Sequence, residues 1–154
     1  MSRSDSRNHL ETGHVGINVT DLDRSIRFYE AVFGFEVGAR SDGEGRRFAF
    51  LENGDTLVLT LWEQGEGRFD ARRAGLHHLS FRVPTLDDVR ASEARVEAAG
   101  GRFVYDGAVP HGEGASSGGI FFEDPDGTRL EIFTSDGLQH THAPTAGAPS
   151  CGFF

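Results

Sequence analysis

No lysine occurs among the 154 residues; all 15 basic side chains are arginine. A Schiff-base mechanism, which needs a lysine amine, is thereby excluded. Cysteine is nearly absent too. Cys151 stands alone near the C-terminus, which rules out an intrachain disulfide and a cysteine-rich zinc site. Positive charge is in deficit: 24 acidic residues leave a formal net charge of −9, the opposite of what a nucleic-acid or anionic-membrane surface requires. No apolar run approaches the roughly 18 residues of a membrane helix. The polar start MSRSDSRNHLETG lacks the apolar stretch of a secretory signal. The expectation is a cytoplasmic protein that acts on a small molecule, with neither nucleic acid nor membrane as partner.

Hydrophobic residues make up 37% of the chain, with 13 Phe, so a globular core is within reach. Residues 1–12 read as a flexible polar arm. HVGINVT, His14 to Thr20, alternates as a strand does. DLDRSIRFYEAVFG then has Asp21 or Asp23 as a cap, Ile26, Tyr29, Ala31 and Phe33 on a partly apolar face, and Gly34 as a stop. FEVGAR is a second strand. RRFAFLENGDTLVLTLWE folds into two strands about Asn53-Gly54, a pair that accepts positive φ.

The order then recurs. HLSFRVP is a strand, TLDDVRASEARVEAAGG a helix with Val89, Ala94, Val96 and Ala99 inward, and RFVYDG a strand. GIFFEDPDGTRLEIF is a hairpin turning at Asp124 to Gly127. A β-α-β-β-β module thus occurs twice, at about 14–62 and 77–134, within a domain spanning 13–134. A unit that cannot bury its sheet alone pairs with its copy. The expected fold is α+β: paired β-α-β-β-β modules forming a cup-shaped eight-stranded mixed sheet with helices outside. The tail 135–154 is rich in Gly, Ala, Pro and Ser and ends in Phe153-Phe154; it reads as coil, free or folded over the hollow.

Strand period sorts the two adjacent histidines of GLHHLSFRVP. His77 shares its face with Leu79, Phe81 and Val83, an apolar set that packs on a helix. His78 shares the other face with Ser80 and Arg82. In the first module Val15, Ile17 and Val19 are the apolar set, leaving His14, Gly16 and Asn18 for the hollow. His14 and His78 therefore hold equivalent places. In TRLEIF, Leu130 and Ile132 face the core, while Arg129, Glu131 and Phe133 face the hollow. A lone carboxylate inside a sheet is costly unless it is paired or bound to a cation. Two neutral imidazoles and a divalent ion would remove that cost. Two His and one carboxylate with open positions suit non-haem Fe(II), and also Mn, Zn, Ni or Co.

HVGINVTDLDRSIRFYEAVFGFEV, GLHHLSFRV and FFEDPDGTRLEIF together resemble the vicinal oxygen chelate superfamily, which holds glyoxalases, bleomycin resistance proteins and extradiol dioxygenases. The resemblance covers about residues 13–134. It implies paired modules that cup a metal chelating vicinal substrate oxygens, and it maps the ligands onto His14, His78 and Glu131. Turn alignment sets Val58 opposite Glu131, at a fourth-ligand position that valine cannot fill. That favours three-ligand branches, extradiol ring cleavage first.

The D-P-D-G-T-R-L-E run fits the extradiol pattern, but Phe121 stands where a tyrosine is usual. His111, one residue outside the usual spacing, is the candidate acid–base. Asn18, Thr60, Trp62, Arg82, Phe121 and Phe133 are the expected substrate lining, suited to a catechol-like or other small apolar ligand. The other readings are an antibiotic-sequestering protein, a glyoxalase-like lyase or isomerase, and a fosfomycin-resistance-like transferase. A homodimer is expected. The cup is built either within one chain or across that dimer, and in the second case His14 comes from the other subunit.

Overall fold

Two strand–helix–strand units account for most of residues 9–154, the residues that the computed structural model describes. The first eight residues of the expected N-terminal arm lie outside them. The first unit runs β1 (Val15–Asn18), α1 (Leu22–Phe33), β2 (Glu36–Ser41), β3 (Phe48–Asn53) and β4 (Thr56–Trp62). The second runs β5 (Leu79–Arg82), α2 (Leu86–Ala98), β6 (Arg102–Phe103), β7 (Val109–Pro110), β8 (Gly118–Glu123) and β9 (Arg129–Thr134). A short 3-10 turn, Ser150–Gly152, lies in the tail.

Local signals explain the helices. Asp21 caps α1 by accepting the Arg24 N–H at 3.0 Å. Gly34 ends it with φ 69°, donating its N–H to the Glu30 carbonyl at 2.9 Å. The buried stripe is Leu22, Ile26, Phe28, Tyr29 and Val32. Ala31, expected inward, is exposed, because the stripe runs at three- and four-residue steps from Leu22. A reciprocal Thr85–Asp88 capping box starts α2. Val89 and Val96 are buried there, and Ala94, also expected inward, is not.

The strands form two separate sheets, ordered β1-β4-β3-β2 and β5-β9-β8-β6, with β7 also on β8. β1 runs parallel to β4, and β5 to β9. The paired-module α+β fold is the expected one; the two sheets do not close on each other, so the cup shape is matched only roughly. One core takes Ile17, Leu59 and Leu61 from the first sheet, Ile120, Phe122, Leu130 and Ile132 from the second, and both helices' apolar stripes. Phe28 of α1 meets Phe122 at 6.3 Å, and Phe33 meets Phe81 at 4.7 Å between ring centroids. Back-to-back packing buries both apolar faces at once, so the opposite faces, His14's and Glu131's, look away from the shared core.

The D-P-D-G turn locks the units together. One Asp124 carboxylate oxygen accepts the N–H groups of Asp126 and Thr128, both at 2.9 Å; the other accepts the Tyr29 hydroxyl at 2.8 Å. Asp126 accepts the Thr20 N–H at 3.0 Å, the Thr20 hydroxyl, and the Arg24 guanidinium at 2.9 Å. Burial, first among its causes, raises the Asp124 pKa against the lowering pull of these donors. No helix among the described residues is long and apolar enough to cross a membrane.

Candidate active site

The strand register fixes which side chains face away from the core. Leu79 sits beside Leu130, Ser80 beside Glu131 and Phe81 beside Ile132. On the other flank Phe121 pairs with Glu131 and Phe122 with Leu130. Ser80, Glu131 and Phe121 therefore share the face opposite the core, and His78, two residues before Ser80, joins them. Glu131 is nonetheless only 2% exposed and Phe121 fully buried, so something covers that face.

Two imidazoles meet the carboxylate. His78 Nε2 lies 3.7 Å from one Glu131 oxygen, and His111 Nε2 touches the other. The other ring nitrogen of His111, Nδ1, is 2.8 Å from the Ser117 hydroxyl, which orients the ring. Phe133 and Phe121 flank His111, with centroids at 5.2 and 6.2 Å. Burial lowers the pKa of His78, with Glu131 opposing the shift, so its neutral form is favoured, the form that binds metals. His77 leans back on its neighbour, Nδ1 to Nδ1 at 2.8 Å, and lies 3.4 Å from the Arg129 guanidinium.

A buried carboxylate facing imidazole nitrogen is an N/O donor set that suits a divalent transition ion. Within one chain, however, no three His, Cys, Asp or Glu side chains among the described residues form a group that could hold a metal. His14 does not join the His78–Glu131 pair. It is exposed just before β1, on the sheet that does not contain Glu131.

The first sheet's outward face carries Gly16, Thr60 and Trp62, with the Trp62 indole N–H donating to the Thr60 hydroxyl at 2.9 Å. Asn18, beside Trp62 in the register, shares it. Phe48 and Phe50 pack on Trp62 at 5.2 and 6.0 Å. Gly16 pairs with Thr60 as Ser80 pairs with Glu131, so Thr60, not Val58, is the counterpart of Glu131. Turn alignment misplaces it because the hairpins differ: Asn53 pairs directly with Thr56, whereas Glu123 pairs with Arg129 across a longer loop. Arg82 is exposed beside a small cavity with Val83, Pro84 and Ser135, away from the Glu131 cluster. A cleft of about 510 Å³ lies between the units and includes Gly16, Asn18, Arg68 and Asp126 but not Glu131.

The cover over Glu131's face is the C-terminal tail. The tail folds back, and Phe153 packs with Val109 and Phe121. The signal for it was an aromatic pair closing a segment otherwise built of small residues.

A paired-module α+β fold carrying an imidazole–carboxylate cluster defines the class, and comparison with known proteins gives the family. The Glyoxalase/Bleomycin resistance protein/Dioxygenase superfamily matches residues 11–132, and the chain belongs to it. Catechol-2,3-dioxygenase of Bacillus subtilis (strain 168) is 28% identical over 123 residues, 79% of this chain; the match spans only 40% of that relative's length. Lactoylglutathione lyase of Haemophilus influenzae is 31% identical over 125 residues, covering 77% of this chain and 88% of that protein. A glyoxylase/bleomycin resistance protein/dioxygenase domain from Frankia sp. EAN1pec superposes with a TM-score of 0.68 at 30% identity, over 83% of this chain and 99% of that one.

Proposed function

We propose that the chain is a divalent-metal-dependent enzyme that cleaves the ring of a catechol-like substrate, with Fe(II) as its metal. Glu131 is the observation that carries this reading: a carboxylate 2% exposed, bordered by an aromatic ring, whose partners are the imidazoles of His78 and His111. A carboxylate so buried calls for a cation, and no arginine reaches it among the described contacts. His78 and Glu131 supply two ligands from one chain, and His14 of a second copy supplies the third. Support for the second copy comes from the edges. β1 and β5 each end their sheet with an unpaired side, and β1 to β5 pairing between copies would join the two outward faces into one cup.

When bound, Fe(II) would supply Lewis acidity toward two vicinal substrate oxygens and a path by which the substrate's own electrons reach dioxygen. The remaining work falls to side chains. His111, oriented by Ser117, takes and returns a substrate hydroxyl proton at Nε2. Phe121 and Phe133 wall the ring and exclude water, and Phe121 donates no hydrogen bond. Asn18, Thr60 and Trp62 of the second copy form the opposite wall. The likeness to a catechol-2,3-dioxygenase supports the ring-cleaving reading. Against a glyoxalase-type site stands Thr60, a neutral hydroxyl at the counterpart of Glu131.

The test is to load the protein with Fe(II) anaerobically, add a panel of catechols, admit air, and follow oxygen uptake and yellow ring-cleaved product. Glu131→Gln is expected to lose metal and turnover together. His111→Ala is expected to keep the metal and turn over about 10²–10⁴-fold more slowly. Tight binding of an unmodified antibiotic without oxygen uptake would show a sequestering protein instead. Metal-dependent conversion without oxygen would show a lyase, isomerase or transferase.

A further inference from the structure

The space beside His78 and Glu131 is filled from within the chain. Phe153, 9% exposed, places its ring 5.4 Å from those of Phe121 and His78 and 6.0 Å from that of His77. The Arg129 guanidinium carbon lies 5.0 Å from its centroid. Phe121 meets the ring edge-on, at 83°. Edge-on aromatic packing and a cation at the ring face are how a protein selects a flat π-system, and the cation favours an electron-rich one.

The segment carrying Phe153 is held by polar contacts as well as by the ring. Its anchor is Ser150, which donates its N–H to the His111 carbonyl at 2.9 Å and its hydroxyl to the Pro110 carbonyl, and accepts the Tyr105 hydroxyl at 2.9 Å. Phe153 itself adopts φ 58°, a left-handed conformation unfavourable for any residue with a Cβ. The ring's contacts offset that backbone cost, so a ligand that takes over the contacts also releases the strain.

We infer that the cage of His77, His78, Phe121 and Arg129 is the subsite for an electron-rich aromatic ring, and that Pro149 to Phe153 form an internal plug which such a ligand displaces. The inference rests on the Glu131 face being the substrate site, and it names the part of that site that takes the ring. A ring seated in place of Phe153 has one edge toward His78, the side on which Glu131 lies. Because the anchor runs through the His111 carbonyl, plug release also frees the backbone of the candidate acid–base.

Measurements on metal-free, EDTA-treated protein keep the inference separable from ring cleavage, since ring binding needs neither a metal nor turnover. The probe is 2-naphthol, an electron-rich fused arene followed by its own fluorescence. Phe153→Ala is expected to bind it about tenfold more tightly than the unaltered chain, as removing a competing occupant requires. The double variant F153A/R129A should return to weak binding. In the unaltered chain the single Cys151, half-buried in the plug, reports release directly: 2-naphthol should speed its reaction with a thiol reagent several-fold. An F153A affinity no better than that of the unaltered chain, or a Cys151 rate that the probe leaves unchanged or slows, would overturn the inference and make the segment a fixed cap. The Cys151 measurement holds even if F153A fails to fold.

Discussion

His78 sits where burial and charge compete, and burial prevails. Its folded-state pKa lies below the ordinary value of 6.5, with desolvation as the first cause. Between that lowered value and 6.5 the unfolded chain binds the extra proton, so metal-free stability is complete above 6.5 and is lost as pH falls through this window. Replacing His78 with Asn should flatten that limb of a melting-temperature profile between pH 7 and 5; an unchanged slope would assign the loss to other groups. At this scale strand period put His78 and Glu131 on one face in the sequence, while Phe121 came from the resemblance and His77, expected on the helix side, is exposed against His78 and Arg129. Strand period could not place His111. That residue is followed by a Gly- and Ser-rich loop, and its reach to Glu131 depends on β7 pairing with β8, a two-residue contact with no periodicity to betray it.

The elements are held by signals of unequal visibility. Gly34, at φ 69°, stops α1. Gly34→Ala should destabilise by about 1–2 kcal/mol, the cost of a Cβ in the left-handed region, measured by denaturant midpoint. The Tyr29–Asp124 hydrogen bond is a different case, because it joins α1 to the β8–β9 turn across the module boundary. Tyr29→Phe leaves a buried carboxylate oxygen short of a donor and should cost about 1–3 kcal/mol without altering α1 itself. A loss near zero would show that the turn holds its own shape. Helices, hairpins and repeat were legible because caps, Gly turns and periodicity are local. That D-P-D-G also serves as an inter-module latch was not, because its partners Thr20, Arg24 and Tyr29 lie about a hundred positions away in sequence. The tail was legible only as two alternatives, free coil or a fold over the hollow: a Gly, Ala and Pro composition reads as coil, and only Phe153 gives it something to bury.

At the scale of the whole molecule, repeat counting told that two modules must cover each other but not by which faces. Here both helices and one face of each sheet share a single core, and the sheets stay separate, so the expected cup is matched only roughly. The consequence is that one chain holds His78 and Glu131, while its own His14 faces elsewhere. The account therefore requires a dimer in which each site is shared, and subunit mixing tests that requirement most directly. His14→Ala and Glu131→Ala variants, each purified alone, should bind no Fe(II). Co-refolded, they should recover binding, because a mixed dimer retains one complete site built from His14 of one subunit and His78 with Glu131 of the other. Fe(II) bound stoichiometrically by monomeric protein, or no recovery in a mixture shown to contain mixed dimers, would contradict the shared site.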